Sequence, residues 1–258
     1  MLLAIDIGNS KIKYGFFEAG KLIDRFSVHT RRNYSAAELE FDRLKKIGDR
    51  FVQASVDTVA VASVVPELHQ AIIESARNLY RIMPLFIDWD WDLGIGVRYQ
   101  PRSAVGADRL VNAAAAAALY GKPVIICSFG TATTIDVVDR AGVFLGGAIA
   151  PGLGISAGAL SEAASLLPTV ELRLPPKAIG ENTPDAMLSG IVLGHISMAE
   201  GMISRIKREL GSDAVVVATG GFGQLAAPNS GMIDILNETL TLEGLNLLVT
   251  RGRQPATN

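Results

Sequence analysis

An α/β fold built from two similar halves is predicted by three features of this 258-residue chain. An apolar run ends in a glycine-bearing polar turn near residue 8, and the same pattern returns near residue 130. Two further strand-like segments with a second glycine turn follow each of these runs, in matching register. Long stretches of helical periodicity then separate each group from one later apolar strand.

In the first half, residues 2–7 form the apolar run, followed by Lys11 to Phe17, a turn at Ala19-Gly20, and Leu22 to Val28. In the second, Val124 to Cys127 leads into the polar turn Ser128 to Thr131, then Thr133 to Val138, Arg140-Ala141-Gly142, and Val143 to Ile149. Gly8 to Gly20 and Gly130 to Gly142 both span 12 positions. The later strands are Val59 to Ser63 and Val215 to Thr219, the latter running into Gly220-Gly221. Helices are expected over Ser35–Gln53, Pro66–Tyr80, Val105–Tyr120, Pro184–Leu210 and Leu236–Thr250. Pro184 suits a first helical turn, with Thr183 as its cap. The chain divides accordingly into lobes of residues 1–120 and 121–258 facing across a cleft.

Bulk properties narrow the function. Hydrophobic residues make up 49% and charged residues 19%, so a large core can be buried. The net charge of −2 and the lack of a basic stripe argue against a nucleic-acid partner. Cys127 is the single cysteine and lies in an apolar strand, where a buried thiol is expected rather than a nucleophile. The first residues lack an export signal, and the bland run Ala113 to Leu119 is too short to span a bilayer. A cytoplasmic protein without membrane contact is expected. His29, His69 and His195 show no ligand spacing. Trp89 and Trp91 alternate with Asp88, Asp90 and Asp92 and read as packing residues.

Glycine turns at strand ends expose backbone N–H groups where a phosphate can sit. Either turn alone could equally be an ordinary hairpin; two in register favour the phosphate reading. In the first, Asp6 is costly at the end of a buried strand unless it is used, and a carboxylate beside a phosphate loop suits hydrated Mg²⁺. Gly8, Asn9 and Ser10 allow backbone approach and add donors, and Gly130 to Thr134 supply a matching set. Thr219-Gly220-Gly221 fits close approach of an adenosine. These three features together resemble the duplicated, ribonuclease H-like ATPase core of actin and the sugar kinases. That resemblance implies two similar lobes around a nucleotide cleft.

Gly106-Ala107-Asp108-Arg109 opens a helix, which by itself reads as an acidic first turn. Together with Asp6 to Ser10, Gly130 to Thr134 and Gly146-Gly147-Ala148-Ile149-Ala150-Pro151-Gly152, it resembles the type III pantothenate kinase family. Ser63 to Pro66, Gly180 to Thr183, Ser189-Gly190, Ala218 to Gly221 and Leu240 to Leu245 resemble further blocks in the same order. The resemblance implies transfer of the γ-phosphoryl of ATP to pantothenate, the first committed step of coenzyme A synthesis. It assigns Asp6, Ile7, Gly8, Asn9, Ser10, Lys11, Ile12, Lys13 and Thr131 to ATP. Tyr99, Gly106, Ala107, Asp108, Arg109 and Thr183 go to pantothenate, with Asp108 as proton acceptor. It also implies Mg²⁺, a homodimer, and a monovalent cation (K⁺ or NH₄⁺).

At the cation position the family carries Asp, and this chain carries Ser128. A hydroxyl offers a neutral oxygen only, which puts that cation in question. Lys11 and Lys13 also depart from the pattern and are expected to be solvated strand residues, rather than cations standing beside phosphate. Two rival functions are a non-catalytic relative acting as a regulator, which Ser128 favours, and another small-molecule kinase. Asp6, Asp108 and Arg109 speak against the first, and the Gly106 to Arg109 and Gly146 to Gly152 blocks against the second.

Overall fold

Strand β1 (Leu2–Ile7) is buried at all six positions and forms the centre of the first sheet. In this computed structural model, which describes residues 1–48 and 56–252, the chain divides into two units. One comprises residues 1–115 and 239–258, the other residues 116–238.

In the first unit, β1 pairs antiparallel with β2 (Lys11–Glu18), and β2 with β3 (Lys21–His29). On its other side β1 pairs parallel with β4 (Thr58–Ser63), which in turn pairs with β5 (Leu85–Phe86). The order is β3-β2-β1-β4-β5. Helix α1 (Ala36–Ile47) begins at a capping box: Ser35 accepts from the Glu38 N–H while Glu38 accepts from the Ser35 N–H. The expected helix Ser35–Gln53 is thus met over its first part, and its positions 49–53 lie outside the described residues. Helix α2 (His69–Tyr80) follows a short 3₁₀ turn at Pro66–Leu68. A two-residue strand, β6 (Gly96–Val97), precedes α3 (Ala107–Tyr120). Trp91 is buried, as a packing residue should be.

In the second unit, β7 (Val124–Phe129), β8 (Ala132–Val138) and β9 (Val143–Pro151) form an antiparallel meander. Strand β10 (Val215–Thr219) pairs parallel with β7, and β11 (Ile235–Leu236) parallel with β10. The order β9-β8-β7-β10-β11 repeats that of the first sheet, as the duplicated register predicts. Helix α4 (Leu153–Ala163), absent from the sequence reading, begins where β9 ends. The expected helix Pro184–Leu210 is three segments: α5 (Thr183–Leu188), a π-helical turn (Ser189–Leu193) and α6 (Gly194–Leu210). Its cap is Asn182, whose side chain accepts from the Asp185 N–H; Thr183 is the first helical residue, not the cap. Residues Thr183–Leu210 have the length and mean hydropathy (1.4) to cross a membrane. Met187, Leu188, Ile191, Val192, Ile196, Ala199 and Ile203, however, belong to the buried core of this unit.

A four-residue helix, α7 (Gly223–Ala226), follows β10. The last helix, α8 (Leu240–Thr250), packs on β1, β2 and β4. Gly244 makes this possible, since a Cβ there would lie 2.7 Å from Val111 of α3. Residues 239–250 therefore go with the first unit, whereas the division at residue 120 puts them with the second. The cause is physical: the apolar face of α8 covers strands β1, β2 and β4, which all lie within the first 63 residues.

Candidate active site

Asp6 is 6% exposed near the end of β1. Its antiparallel neighbour in register is Lys13 and its parallel neighbour is Ala62. Side chains at paired positions share a sheet face, and the Lys13 Nζ lies 3.3 Å from the Asp6 carboxylate. Lys13 is thus not the solvated strand residue expected from sequence, whereas Lys11 is exposed. Ala62 leaves the other flank of Asp6 narrow-walled and apolar.

The loop after β1 is held at several points. The Gly8 N–H donates to the Lys11 carbonyl (3.0 Å), and the Thr30 hydroxyl donates to the Gly8 carbonyl (2.7 Å). Arg32 donates to Asn9 Oδ1 (3.4 Å) and to Glu67 (3.0 Å). Asn9, Ser10 and Lys11 remain exposed on this frame. Ile7 and Ile12 are wholly buried, so they position the loop rather than face a ligand.

The start of α3 meets the same end of the sheet. The Val64 N–H donates to the Ile7 carbonyl (3.0 Å), which brings the end of β4 beside that of β1. A Cβ on Gly106 would lie 3.2 Å from Val64 Cγ1 and 2.6 Å from Asp108 Oδ1. Glycine is therefore what lets the Asp108 carboxylate fold back over the helix start. Asp108 Oδ1 accepts from the Arg109 N–H (2.9 Å). The Arg109 side chain is 7% exposed, with its guanidinium 5.8 Å from the Tyr99 ring centre. Asp6, Gly106, Asp108, Arg109 and Tyr99 all belong to the first unit.

In the second unit three glycine-bearing segments converge on the turn after β7. The Gly130 N–H donates to the Ala132 carbonyl (3.1 Å), Gly152 N–H to the Thr131 carbonyl (3.0 Å), and Phe222 N–H to the Phe129 carbonyl (2.9 Å). A Cβ on Gly152 would lie 2.3 Å from the carbonyl oxygens of Gly130 and Thr131, and one on Gly220 2.5 Å from that of Phe129. Thr131 is exposed at the tip. Thr183 is exposed at the start of α5.

Ser128 stands in register between Thr134 on β8 and Thr219 on β10. The three hydroxyl side chains thus form a row on one sheet face, and the Thr134 and Thr219 hydroxyl oxygens are buried without a hydrogen-bond partner. Behind the turn, Thr133 Oγ1 lies 2.8 Å from His195 Nε2 in a buried contact. Burial lowers the His195 pKa, which favours the neutral ring. Burial, followed by the charge of Asp136, pushes the Cys127 thiol up to about 12, so it is inert. Among the described residues no group of three His, Cys, Asp or Glu could hold a metal by itself.

Three of these contacts were missed from sequence: Lys13 with Asp6, Thr133 with His195, and the Thr219–Ser128–Thr134 row. Each depends on pairing or packing of elements across 6 to 91 positions rather than on a local motif. The repeat supplied one usable signal, since it aligns Ser128 with Asp6.

The chain was compared with known proteins. Residues 2–205 match the family model described as type III pantothenate kinase. A type III pantothenate kinase of Roseiflexus castenholzii is 40% identical over 98% of this chain and 100% of its own length. One from Moorella thermoacetica is 42% identical, with the same coverage. Among solved structures, a Campylobacter jejuni protein named for the Baf family of transcriptional activators superposes with a TM-score of 0.62. It is 19% identical, over 97% of this chain and 98% of that one. An inorganic polyphosphate/ATP-glucomannokinase of Arthrobacter sp. strain KM gives 0.50 at 14% identity, over 97% and 98%. The two structures speak for the fold, which is the duplicated actin-like ATPase architecture.

Proposed function

This chain belongs to the type III pantothenate kinase family, and we propose that Asp108 is the group that receives the proton when it phosphorylates pantothenate. The reaction is ATP-dependent: an oxygen of the pantothenate primary hydroxyl bonds to the γ-phosphorus while the bond to ADP breaks. The product is 4'-phosphopantothenate. The proton of the hydroxyl passes to the Asp108 carboxylate. Because such a transition state is loose, orientation counts for more than early deprotonation, and a carboxylate that accepts the proton late suffices.

The observation that carries this assignment is the fold-back of Asp108 over Gly106, beside the strand ends where Asp6 stands. Arg109, buried against Tyr99, is suited to a two-point grip on the pantothenate carboxylate. Thr183, exposed at the start of α5, is assigned to pantothenate. Asn9, Ser10, Lys11 and Thr131 are assigned to ATP.

The family uses a divalent metal with ATP, which we take as Mg²⁺. Asp6 fits it: a carboxylate in a largely buried position whose ion-pair partner, Lys13, is 29% exposed and can be displaced. Bound there, the metal neutralises charge on the phosphates. For a monovalent cation the residues present are Ser128, Thr134 and Thr219, neutral oxygens without a carboxylate. A cytoplasmic homodimer is the assembly we favour. Its support is the apolar surface of the second unit, where Ile149, Ile155, Leu160 and Ile179 are 62%, 48%, 38% and 78% exposed.

The test is Asp108→Asn. Turnover should fall about 10²- to 10⁴-fold, the usual scale for a lost general base, while calorimetry with pantothenate shows nearly native affinity. Near-native kcat would remove Asp108 from this role.

A further inference from the structure

The first unit encloses a cavity of about 20 Å³ between β1, β2, α1 and α2, lined by Leu3, Ile5, Tyr14, Arg43, Ser75 and Tyr80 among others. Arg43 is 5% exposed, on the same face of α1 as the buried Leu39 and Ile47. Its Nε and Nη1 are buried without a hydrogen-bond partner among the described residues, and so is the Tyr80 hydroxyl. Such an arrangement is costly. A guanidinium cannot give up its proton, and an uncompensated buried charge is among the most destabilising features a core can contain.

Among the described residues no carboxylate lines the cavity. The acid next to Arg43 in sequence, Asp42, accepts from the Tyr34 hydroxyl and from Arg31 Nη2 (3.4 Å). What the cavity offers is a set of donors, Nε and Nη1 of one guanidinium with the Tyr80 hydroxyl, beside the further lining residues Tyr14 and Ser75. Burial, reinforced by nearby Tyr34 and Tyr80, raises the Tyr14 pKa, and burial raises that of Tyr80. Both phenols therefore remain protonated donors at neutral pH. A water would use two of these donors and bring no charge. An anion can accept from the guanidinium and the Tyr80 hydroxyl together and offset the charge.

We propose that this cavity is a site for one monatomic anion, chloride. A single water needs a cavity of roughly 10–15 Å³, so there is room here for a small ion. Leu3 and Ile5 alternate with Asp6 along β1, which puts the cavity on the sheet face away from Asp6 and Lys13. Chloride in it stabilises the first unit without entering the reaction.

The experiment has two arms on the intact protein. Crystals soaked in bromide should show an anomalous peak beside Arg43 and Tyr80. In solution, thermal unfolding is followed in sodium chloride and in sodium gluconate at matched ionic strength. The midpoint in chloride should rise by about 3 °C or more per tenfold concentration above the dissociation constant. Arg43→Met, which replaces the charge by an apolar chain of similar length, should abolish the difference between the salts. Should that variant fail to fold, Tyr80→Phe keeps the charge and should weaken the chloride dependence several-fold. A cavity holding water with no anomalous signal would overturn the proposal, as would a chloride response unchanged in Arg43→Met. So would a chloride effect that appears only as a raised KM for ATP.

Discussion

Asp6 stands between Lys13 and Ala62 at the end of the first central strand, and at the corresponding place in the second half Ser128 stands between Thr134 and Thr219. The backbones around these two positions are close copies. Five strands follow the same order in both sheets, Gly20 and Gly142 turn with φ of +79° and +82°, and a register shift interrupts the second hairpin of each. The turns differ by one residue, three between β1 and β2 and two between β7 and β8. The first half carries an ion pair between β1 and β2 beside an exposed loop, the second neutral hydroxyls behind a turn enclosed by Gly152 and Gly220. A duplicated scaffold fixes where the side chains point. It does not fix their charge.

The largest break in this comparison should come from Asp6→Asn. Removing the one buried carboxylate of the pair removes the anchor for a divalent metal, and turnover should fall by about 10²-fold or more. Ser128→Ala, at the matching position, should cost far less. Steady-state rates over a Mg²⁺ series separate the two, and calorimetry should find pantothenate affinity retained in both. Equal losses would mean that the halves do not differ as described.

Next in size is the difference in enclosure. Gly220→Ala puts a Cβ within 2.5 Å of a carbonyl oxygen at a φ of +93°, and Gly152→Ala puts one at 2.3 Å from two of them. Each should destabilise by roughly 1–3 kcal/mol. Gly8→Ala meets only the Lys11 carbonyl, at 3.2 Å, and should cost less. Thermal unfolding of the three variants checks the order.

A smaller effect is expected at Lys13. Its ammonium competes with any metal for Asp6, and a partly exposed pair of this kind is worth no more than about 1 kcal/mol. Lys13→Met should therefore lower the half-saturating Mg²⁺ concentration by up to about fivefold. An upward shift would mean that Lys13 contacts the phosphates instead.

Much of this was legible in the residues. Period, glycine spacing and the Gly106 to Arg109 block gave the duplicated fold and the candidate residues because each is written within a few positions. Helix α4 was missed: its sequence, Leu153 to Ala163, is small and apolar with little amphipathic contrast. The place of α8 was missed because packing between distant segments leaves no local mark. The Lys13–Asp6 pair was misread for a similar reason. Lysine beside a turn is usually solvated, and only the β1–β2 register brings it across from the carboxylate.

The sharpest test of the second half is its cation dependence. A monovalent cation near phosphate needs oxygen ligands, and a carboxylate among them offsets the cost of dehydrating the ion. In the Thr219–Ser128–Thr134 row the oxygens are present but the charge is not. Unit charges ~4 Å apart interact by roughly 4 kcal/mol at an effective dielectric of 20. Smaller desolvation of a neutral site recovers part of that difference. The wild-type protein should therefore be independent of K⁺ or need it at high concentration, and Ser128→Asp should shift the half-saturating K⁺ concentration down. The measurement is initial rate against potassium gluconate, which keeps chloride constant, with ionic strength held by a bulky organic cation. Saturation of the wild-type protein at low K⁺ would show that other oxygens complete a site and that the missing carboxylate is immaterial. Absence of turnover at any K⁺ concentration, with ATP still bound, would instead make the second half a nucleotide-holding scaffold and the chain a non-catalytic relative.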